Sequence, residues 1–497
     1  MGLAVAAAKS EKHSIERFYT DEIVIGLCGP VGVNLPEIAR KLSETLSSYS
    51  YASKTLKMSG LIEAEKGKVD GSDLFRKREL IARGNQLREE TGRASFLAEK
   101  AIEQIFVDRN VAFPDGAYKS RRHCFIIDSI KNQAEAKKFR EVYGSSFYLI
   151  GVFSSRERKK TNLTHGDPAL EKEAIKIIED DYSQKGSFGQ QVGKVFQTAD
   201  YFFRLEGEAD ADSKVQRLVK LILGAEIITP SNAETAMFMA ASASRNSACL
   251  SRQVGAAIAK DGAVVSTGWN DVPMYGGGTY TFGGPDARCF NDGKFCRNDQ
   301  EKGTIINEIV ADLIKSGAVN EEGRNAARTA ISNSRVSDLI EFSRAVHAEM
   351  HAILNAAKSG SGQLKGAILY CTTYPCHSCA RHIVAAGITE VYFIEPYAKS
   401  KAVALHADSI TEDENIGNKL KILAYEGVAP GRFLDFFSIK NDRKIEGKYV
   451  TQERAELKPQ VDKMFEAVHT LEAVVAKGLQ PNGDDNDGEG LRSAHAA

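Results

Sequence analysis

His347-Ala348-Glu349 and, further along, Pro375-Cys376-His377-Ser378-Cys379 are the residues whose types and spacing could do chemistry. Cys376 and Cys379 are three apart, so on one helical turn both sulfurs face the same way. Pro375 suits the first turn of a helix, where its missing N–H costs nothing. The positive end of a helix dipole there favours thiolates, the metal-binding form. His347 supplies a third ligand from a separate element. Three protein ligands leave a zinc ion one position for water, the catalytic rather than the structural arrangement. Zinc brings the pKa of that water from about 15.7 to near 7. Glu349, two residues from His347, reaches the water without ligating the metal. It can take the proton and hand it on.

Taken alone, a Cys-x-x-Cys pair equally suits a structural zinc half-site or a redox pair. The full order, His-x-Glu then Pro-Cys-x-x-Cys, is specific: it is the signature of zinc-dependent base deaminases.

These residues need elements to hold them. With 497 residues the chain is too long for one ordinary core, and two or more domains are expected. It is 42% hydrophobic and 26% charged, with a formal net charge of −1, so no global pull toward nucleic acid or an anionic membrane exists. The eight cysteines are scattered apart from Cys376/Cys379, which fits a reducing cytoplasm rather than a disulfide framework. No apolar run spans a bilayer. Ala4–Ala8 is too short for a signal peptide and follows no basic residue. Ala6 stands where a myristoylation motif needs Ser or Thr.

The lead-in, 1–20, is read as flexible. Over 21–205 the pattern is α/β, a doubly wound parallel sheet of P-loop kinase-like type. Glu22–Leu27 reads as a buried strand, Cys28–Asn34 as a glycine-rich turn and Leu35–Leu46 as an amphipathic helix. Strand, glycine turn and helix form the context of a phosphate-binding loop. Gly26, Gly29, Gly32 and Asn34 are its candidate residues, for ATP or another nucleotide. Asp128, ending the strand from His123, is placed as in a Walker B strand. Yet Val33 and Asn34 stand where the pattern has Lys and Ser/Thr, and Gly26 is one position early. A nucleotide-binding relic and an active nucleotide site therefore both stand. Phe147–Phe153 is another central strand; Arg156 and Arg158 follow it like the arginines of a kinase lid. Phe188–Val192 and Ala199–Phe202 read as the last helix and strand, with a linker over 206–227.

Residues 228–470 carry the zinc motifs. A helix over 235–243 precedes a hairpin, turned at Asp261-Gly262. An insertion over 275–346, glycine-rich and then helical, separates that hairpin from His347; its length suits a lid or regulatory site. Within it Cys289 and Cys296 either are buried thiols or hold a second, structural zinc with a histidine such as His351 or His382. After the strand over 388–394, Tyr397, Lys399 and His406 are placed to face a substrate mouth, Lys399 near a phosphate. The remainder, 471–497, is acidic and polar at its end and is read as a disordered tail.

Several segments resemble deoxycytidylate deaminase: His347-Ala348-Glu349; Leu369 to Cys376; Ala386 to Tyr392; Arg252-Gln253-Val254-Gly255-Ala256; and Gly268 to Pro273. The resemblance implies a cytidine-deaminase-like α/β/α fold for the second domain. The order of the whole chain, a degenerate phosphate-loop domain, then Phe188-Gly189-Gln190-Gln191-Val192, the zinc motifs and Glu395–Ser400, resembles the bacterial anti-phage dCTP deaminases. That family implies conversion of dCTP and dCMP to dUTP and dUMP plus ammonia, starving phage DNA synthesis. It also implies cytoplasmic homo-oligomers, some restrained by an inhibitory small RNA. Carried over residue by residue, His347, Cys376 and Cys379 bind one catalytic zinc and Glu349 shuttles the proton. Asn270 contacts the nucleotide, and Arg245, Arg252, Tyr397 and Lys399 complete the candidate substrate site.

Two rival readings differ in substrate or class. An RNA or single-stranded DNA deaminase would need a basic, aromatic-lined groove, whereas this chain is near neutral with one tryptophan, Trp269. A nucleotide or RNA sensor would use the first domain to hold the deaminase off.

Overall fold

The computed structural model describes residues 19–114, 119–182, 187–206, 211–360, 364–397, 399–439, 443–450, 453–459 and 464–480. The expected flexible segment 1–20 lies almost wholly outside the described residues, as does most of the expected disordered tail from 481 on. The chain divides into two compact units, both mixed α/β with a largely parallel sheet. One comprises residues 1–228 with 434–497; the other is Thr229–Phe433.

In the first unit, β1 (Ile23–Cys28) is buried at every position. A continuous apolar run without alternation suits a strand covered on both faces. It pairs in parallel with β3 (His123–Asp128) and β4 (Phe147–Phe153). β2 (Ala52–Lys57) adds to β3, and β5 (Tyr201–Arg204) to β4, again in parallel, giving the order β2-β3-β1-β4-β5. The helix Leu35–Ser47 buries Leu35, Ile38, Ala39, Leu42 and Leu46, the stripe its periodicity predicts.

Three expectations for this unit need correction. The stretch 206–227 is no linker: it contains the helix Ala211–Leu223, which buries Val215, Leu218, Val219 and Ile222. That stripe makes it part of the core, and Lys41 joins it to the helix Leu35–Ser47 through Asp212 at 2.6 Å. The helix expected over Phe188–Val192 runs Val192–Phe196, after Phe188-Gly189 rather than through it. The boundary at 470 is also wrong, because the chain from Leu434 clusters with the first unit. Its helix Phe465–Lys477 packs on the helix Phe96–Ala112. The reason is electrostatic. Arg109, 0% exposed, meets Glu472 at 2.9 and 3.0 Å and Glu22 at 2.7 Å. A guanidinium held there is tolerable only when both carboxylates are present.

In the second unit, β6 (Gly255–Lys260) and β7 (Ala263–Trp269) form the hairpin. Asp261 and Gly262 have φ of 52° and 80°, the left-handed pair that an Asp-Gly turn adopts most cheaply. β8 (Ile368–Thr373) runs antiparallel to β6. β9 (Glu390–Glu395), β11 (Leu420–Ala424) and β10 (Ile410–Thr411) then add in parallel, giving β10-β11-β9-β8-β6-β7. Two glycines set the layers. A Cβ on Gly255 would lie 1.9 Å from the Ala240 carbonyl oxygen, in the helix Asn232–Ser244. One on Gly268 would lie 2.3 Å from the Ala352 nitrogen and 2.6 Å from the Ala348 oxygen, in the helix Ala348–Lys358. Gly255 pairs with Trp269 and Gly268 with Ala256, so the glycines face opposite sides of the sheet. One helix therefore presses on each face.

The Arg109 network yields a prediction. Glu472→Ala should destabilise the first unit by about 3 kcal/mol or more, since it strands a buried guanidinium. Urea unfolding followed by far-UV circular dichroism measures this, because Trp269, the sole tryptophan, lies in the other unit. A loss below about 1 kcal/mol, the range of exposed pairs, would contradict it.

Candidate active site

His347 is the N-cap residue of the helix Ala348–Lys358, yet its ring does not cap that helix. Its Nδ1 instead lies 3.3 Å from Cys376 Sγ and 3.4 Å from Cys379 Sγ. The three donor atoms all lie within 4.8 Å of one another. With Zn–S near 2.3 Å and Zn–N near 2.1 Å, one ion can touch all three. Cys376 is itself the N-cap of the helix His377–Ala385, accepting the Cys379 N–H at 3.4 Å. Pro375 therefore sits before the cap, outside the first turn that the sequence suggested. The sulfur has taken the capping place.

The electrostatics describe one cluster competing for protons. Hydrogen bonding from Cys379, then from His347, lowers the Cys376 thiol to about 4. The Cys379 thiol is driven up, first by its bond to Cys376 and then by burial. His347 is raised to about 9, chiefly through Cys376. A cation among these three groups satisfies what shared protons do here, so the donor set fits zinc.

Glu349, 4% exposed, stands in the first turn of the same helix as the His347 cap. Burial raises its carboxyl above the usual range, and the neighbouring His347 opposes that rise. Its helix is fixed by the close approach at Gly268 and by the strand-like pairing of Asp271 with Val346, whose N–H donates to the Asp271 carbonyl at 2.9 Å. Ser400 Oγ donates to the Pro375 carbonyl at 2.7 Å and so steadies the cysteine turn.

A cleft of about 330 Å³ opens over His347, Glu349 and Cys376. Asn270, Arg252, Tyr397 and Lys399 line it; Arg245 and His406 do not. Arg245 instead reaches Gln253 at 3.3 Å. Asn270 uses its amide to shape the rim, accepting from the Val254 N–H at 2.7 Å and donating to the Arg252 carbonyl at 2.9 Å. Arg252 pairs with Glu395 at 2.8 Å, and Lys399 with Asp338 at 2.5 Å. Ala398 lies outside the described residues. The insertion contributes lining residues that the motifs did not reveal: Arg288, Arg297, Lys302 and Arg344. Cationic residues scattered through a helical pattern carry no spacing signal. Cys289 and Cys296 line the cleft as well, but no metal group beyond His347/Cys376/Cys379 forms among the described residues. The second-zinc reading is further weakened by His351, whose Nδ1 is engaged with the Trp269 backbone at 3.0 Å.

The glycine turn of the first unit is closed by the chain's own groups. The Val31 N–H donates to Asp181 Oδ2 at 2.6 Å. Lys131 Nζ meets the same carboxylate at 3.1 Å and the Gly29 carbonyl at 2.7 Å. A Cβ on Gly32, whose φ is +93°, would lie 2.7 Å from the Lys159 carbonyl. Gly26 is packed against Ile130 and Phe147 inside the sheet, not in the turn. Asn34 caps the following helix by accepting from the Glu37 N–H at 3.4 Å. Asp128 is largely buried at the end of β3, its carboxyl raised by desolvation and pulled back by Lys57 and Lys131. The anion in this turn is thus Asp181, and the open cradle expected for a nucleotide phosphate is not found.

No helix among the described residues is long and apolar enough to cross a membrane. Comparison with known proteins places the second unit. The family model for the cytidine and deoxycytidylate deaminase zinc-binding region matches residues 230–395. The deoxycytidylate deaminase of Enterobacteria phage T2 is 32% identical over 171 residues, 34% of this chain and 82% of that protein. That of phage T4 is 31% identical over 171 residues, 34% of this chain and 80% of that protein. The crystal structure of the cyanophage S-TIM5 dCMP deaminase in complex with dCMP and dUMP aligns with 21% identity and a TM-score of 0.24, over 40% of this chain and 99% of that one.

Removing one donor should empty the metal site. Cys376→Ala is expected to lose stoichiometric zinc by elemental analysis while the circular dichroism of the first unit's helices persists. Full zinc retention would exclude this cluster as the site.

Proposed function

The chain belongs to the cytidine and deoxycytidylate deaminase family, and from that premise we propose that it hydrolyses the exocyclic amine of deoxycytidine nucleotides, dCMP and dCTP, to give dUMP or dUTP and ammonia. One observation carries the reading: a buried carboxylate, Glu349, stands in the same helical turn as a His/Cys/Cys donor set at the floor of a cleft.

His347, Cys376 and Cys379 would hold the zinc, which when bound supplies a water acidified to near neutrality. Glu349 takes the proton of the attacking water as oxygen adds to C4 of the base. Burial favours the protonated carboxyl, so Glu349 delivers that proton to N3; it then takes the proton of the new C4 hydroxyl and passes it to the amine as the C4–N bond breaks, leaving a C4 carbonyl and ammonia. Asn270 shapes the rim against which the sugar rests. Arg252, held by Glu395 and 5.9 Å from the Tyr397 ring, orients that ring over the mouth.

In this reading the first unit is a nucleotide-kinase-like fold. Its parallel β2-β3-β1-β4-β5 order and strand–glycine turn–helix start support that. The Asp181 carboxylate filling the glycine turn supports a relic over an ATP site. All eight cysteines are free, which fits a reducing compartment such as the cytoplasm. Drawing down dCTP in an infected cell would starve phage DNA synthesis, and we assign the chain that defensive role, acting as an oligomer.

The test is ammonia release by the purified chain from dCTP, dCMP, CTP and cytidine. Deoxynucleotide turnover is expected to fall by roughly 10²- to 10⁴-fold in Glu349→Ala, with zinc retained. Turnover of Glu349→Ala near the parent rate would remove Glu349 from the mechanism.

A further inference from the structure

Six cations line the cleft, Arg252, Arg288, Arg297, Lys302, Arg344 and Lys399, against four carboxylates. Two of the six are committed. Arg288 is 9% exposed and bound to Asp286 at 2.7 Å and Asp271 at 3.4 Å. Arg252 is held by Glu395. The other four have loose partners. Arg297 and Arg344 share a single oxygen, Asp292 Oδ2, at 3.5 and 3.4 Å. Lys302 has one carboxylate partner, its helical neighbour Asp299 at 2.8 Å, and Lys399 pairs with Asp338 where the two side chains are 52% and 40% exposed. Such exposed pairs contribute little and are readily exchanged for a better anion.

These four converge. Lys302 Nζ donates to the Ser337 carbonyl at 3.4 Å, and Asn298 Nδ2 to the Leu339 carbonyl at 3.0 Å, on either side of the Asp338 that holds Lys399. Arg297 opens a helix of 19 residues, Arg297–Lys315, whose Cys296 cap makes no side-chain hydrogen bond. The first residues of that helix line the cleft, so its uncapped N–H groups add to the positive wall.

We propose that Arg297, Lys302 and Arg344 of the insertion, with Lys399, form a seat for the outer phosphates of a deoxycytidine triphosphate, making the insertion the element that selects dCTP over dCMP. The inference rests on the deoxycytidine-nucleotide reading of the cleft and deepens it. A monophosphate lacks the charge and reach to engage four cations together. A triphosphate has both, and Arg forks bind phosphate oxygens in pairs.

The experiment uses the full chain. The ratio of kcat/KM for dCTP to that for dCMP is measured in wild type, Lys302→Ala, Arg344→Ala and the double variant, with binding of inorganic tripolyphosphate by calorimetry. Each single substitution is expected to lower the ratio and weaken tripolyphosphate roughly tenfold, with Lys302→Arg restoring both. Zinc content checks that each variant is folded. Lys315→Ala, at the far exposed end of the same helix, should leave the ratio within about twofold of wild type. A ratio and tripolyphosphate affinity both within about twofold of wild type in the double variant would overturn the seat while deamination stands. Wild-type protein that deaminates neither nucleotide, yet binds tripolyphosphate through Lys302, would keep the seat and defeat the deamination reading.

Discussion

Two sulfurs and an imidazole nitrogen within 4.8 Å of one another are a demanding arrangement. Left alone they must divide protons among themselves, and the opposed shifts of Cys376 and Cys379 show how unevenly. A divalent cation resolves the competition. The second unit is built to hold those atoms together against that tendency. Two helix starts supply the donors, at the His347 cap and the Cys376 cap. A sheet between two helical layers sets their separation, and at Gly268 the helix carrying Glu349 comes so near the strand that no side chain fits.

The first unit depends on a different electrostatic closure. Arg109 gathers Glu22 from just before the first strand and Glu472 from a helix 363 residues further on. The zinc-site unit therefore interrupts, in sequence, a unit whose two ends are joined through one buried guanidinium. Asp181 plays a comparable part in the glycine turn, where a carboxylate from within the chain meets the N–H and lysine that would otherwise attract an external anion.

The insertion between the hairpin and His347 lines much of the cleft. The zinc-site elements supply acid–base chemistry and a rim. The insertion supplies much of the positive wall, through residues whose present partners are exposed or shared. In the proposed reading, catalysis and nucleotide selection therefore fall on separate elements, one packed on the sheet and one in the insertion.

Sequence alone pointed to the donor set, because His347, Cys376 and Cys379 lie in two short segments with Glu349 beside the first, and the fold brings the three donor atoms within 4.8 Å of one another. It also determined the strand before the glycine turn, whose unbroken apolar run admits few alternatives, and the helix Leu35–Ser47, whose periodicity matches its buried stripe. Only the tertiary structure decided matters that depend on distant partners. Glu472 falls in the stretch read as a disordered tail until Arg109 is seen beside it. Gly29 and Gly32 read as a phosphate cradle until Asp181 appears within it. Arg297, Lys302 and Arg344 carry no signal in the sequence until the fold turns them toward the cleft. The physical reason is common to all three: a charge declares its role through its partner, and the partner's place is set by long-range packing rather than by spacing along the chain.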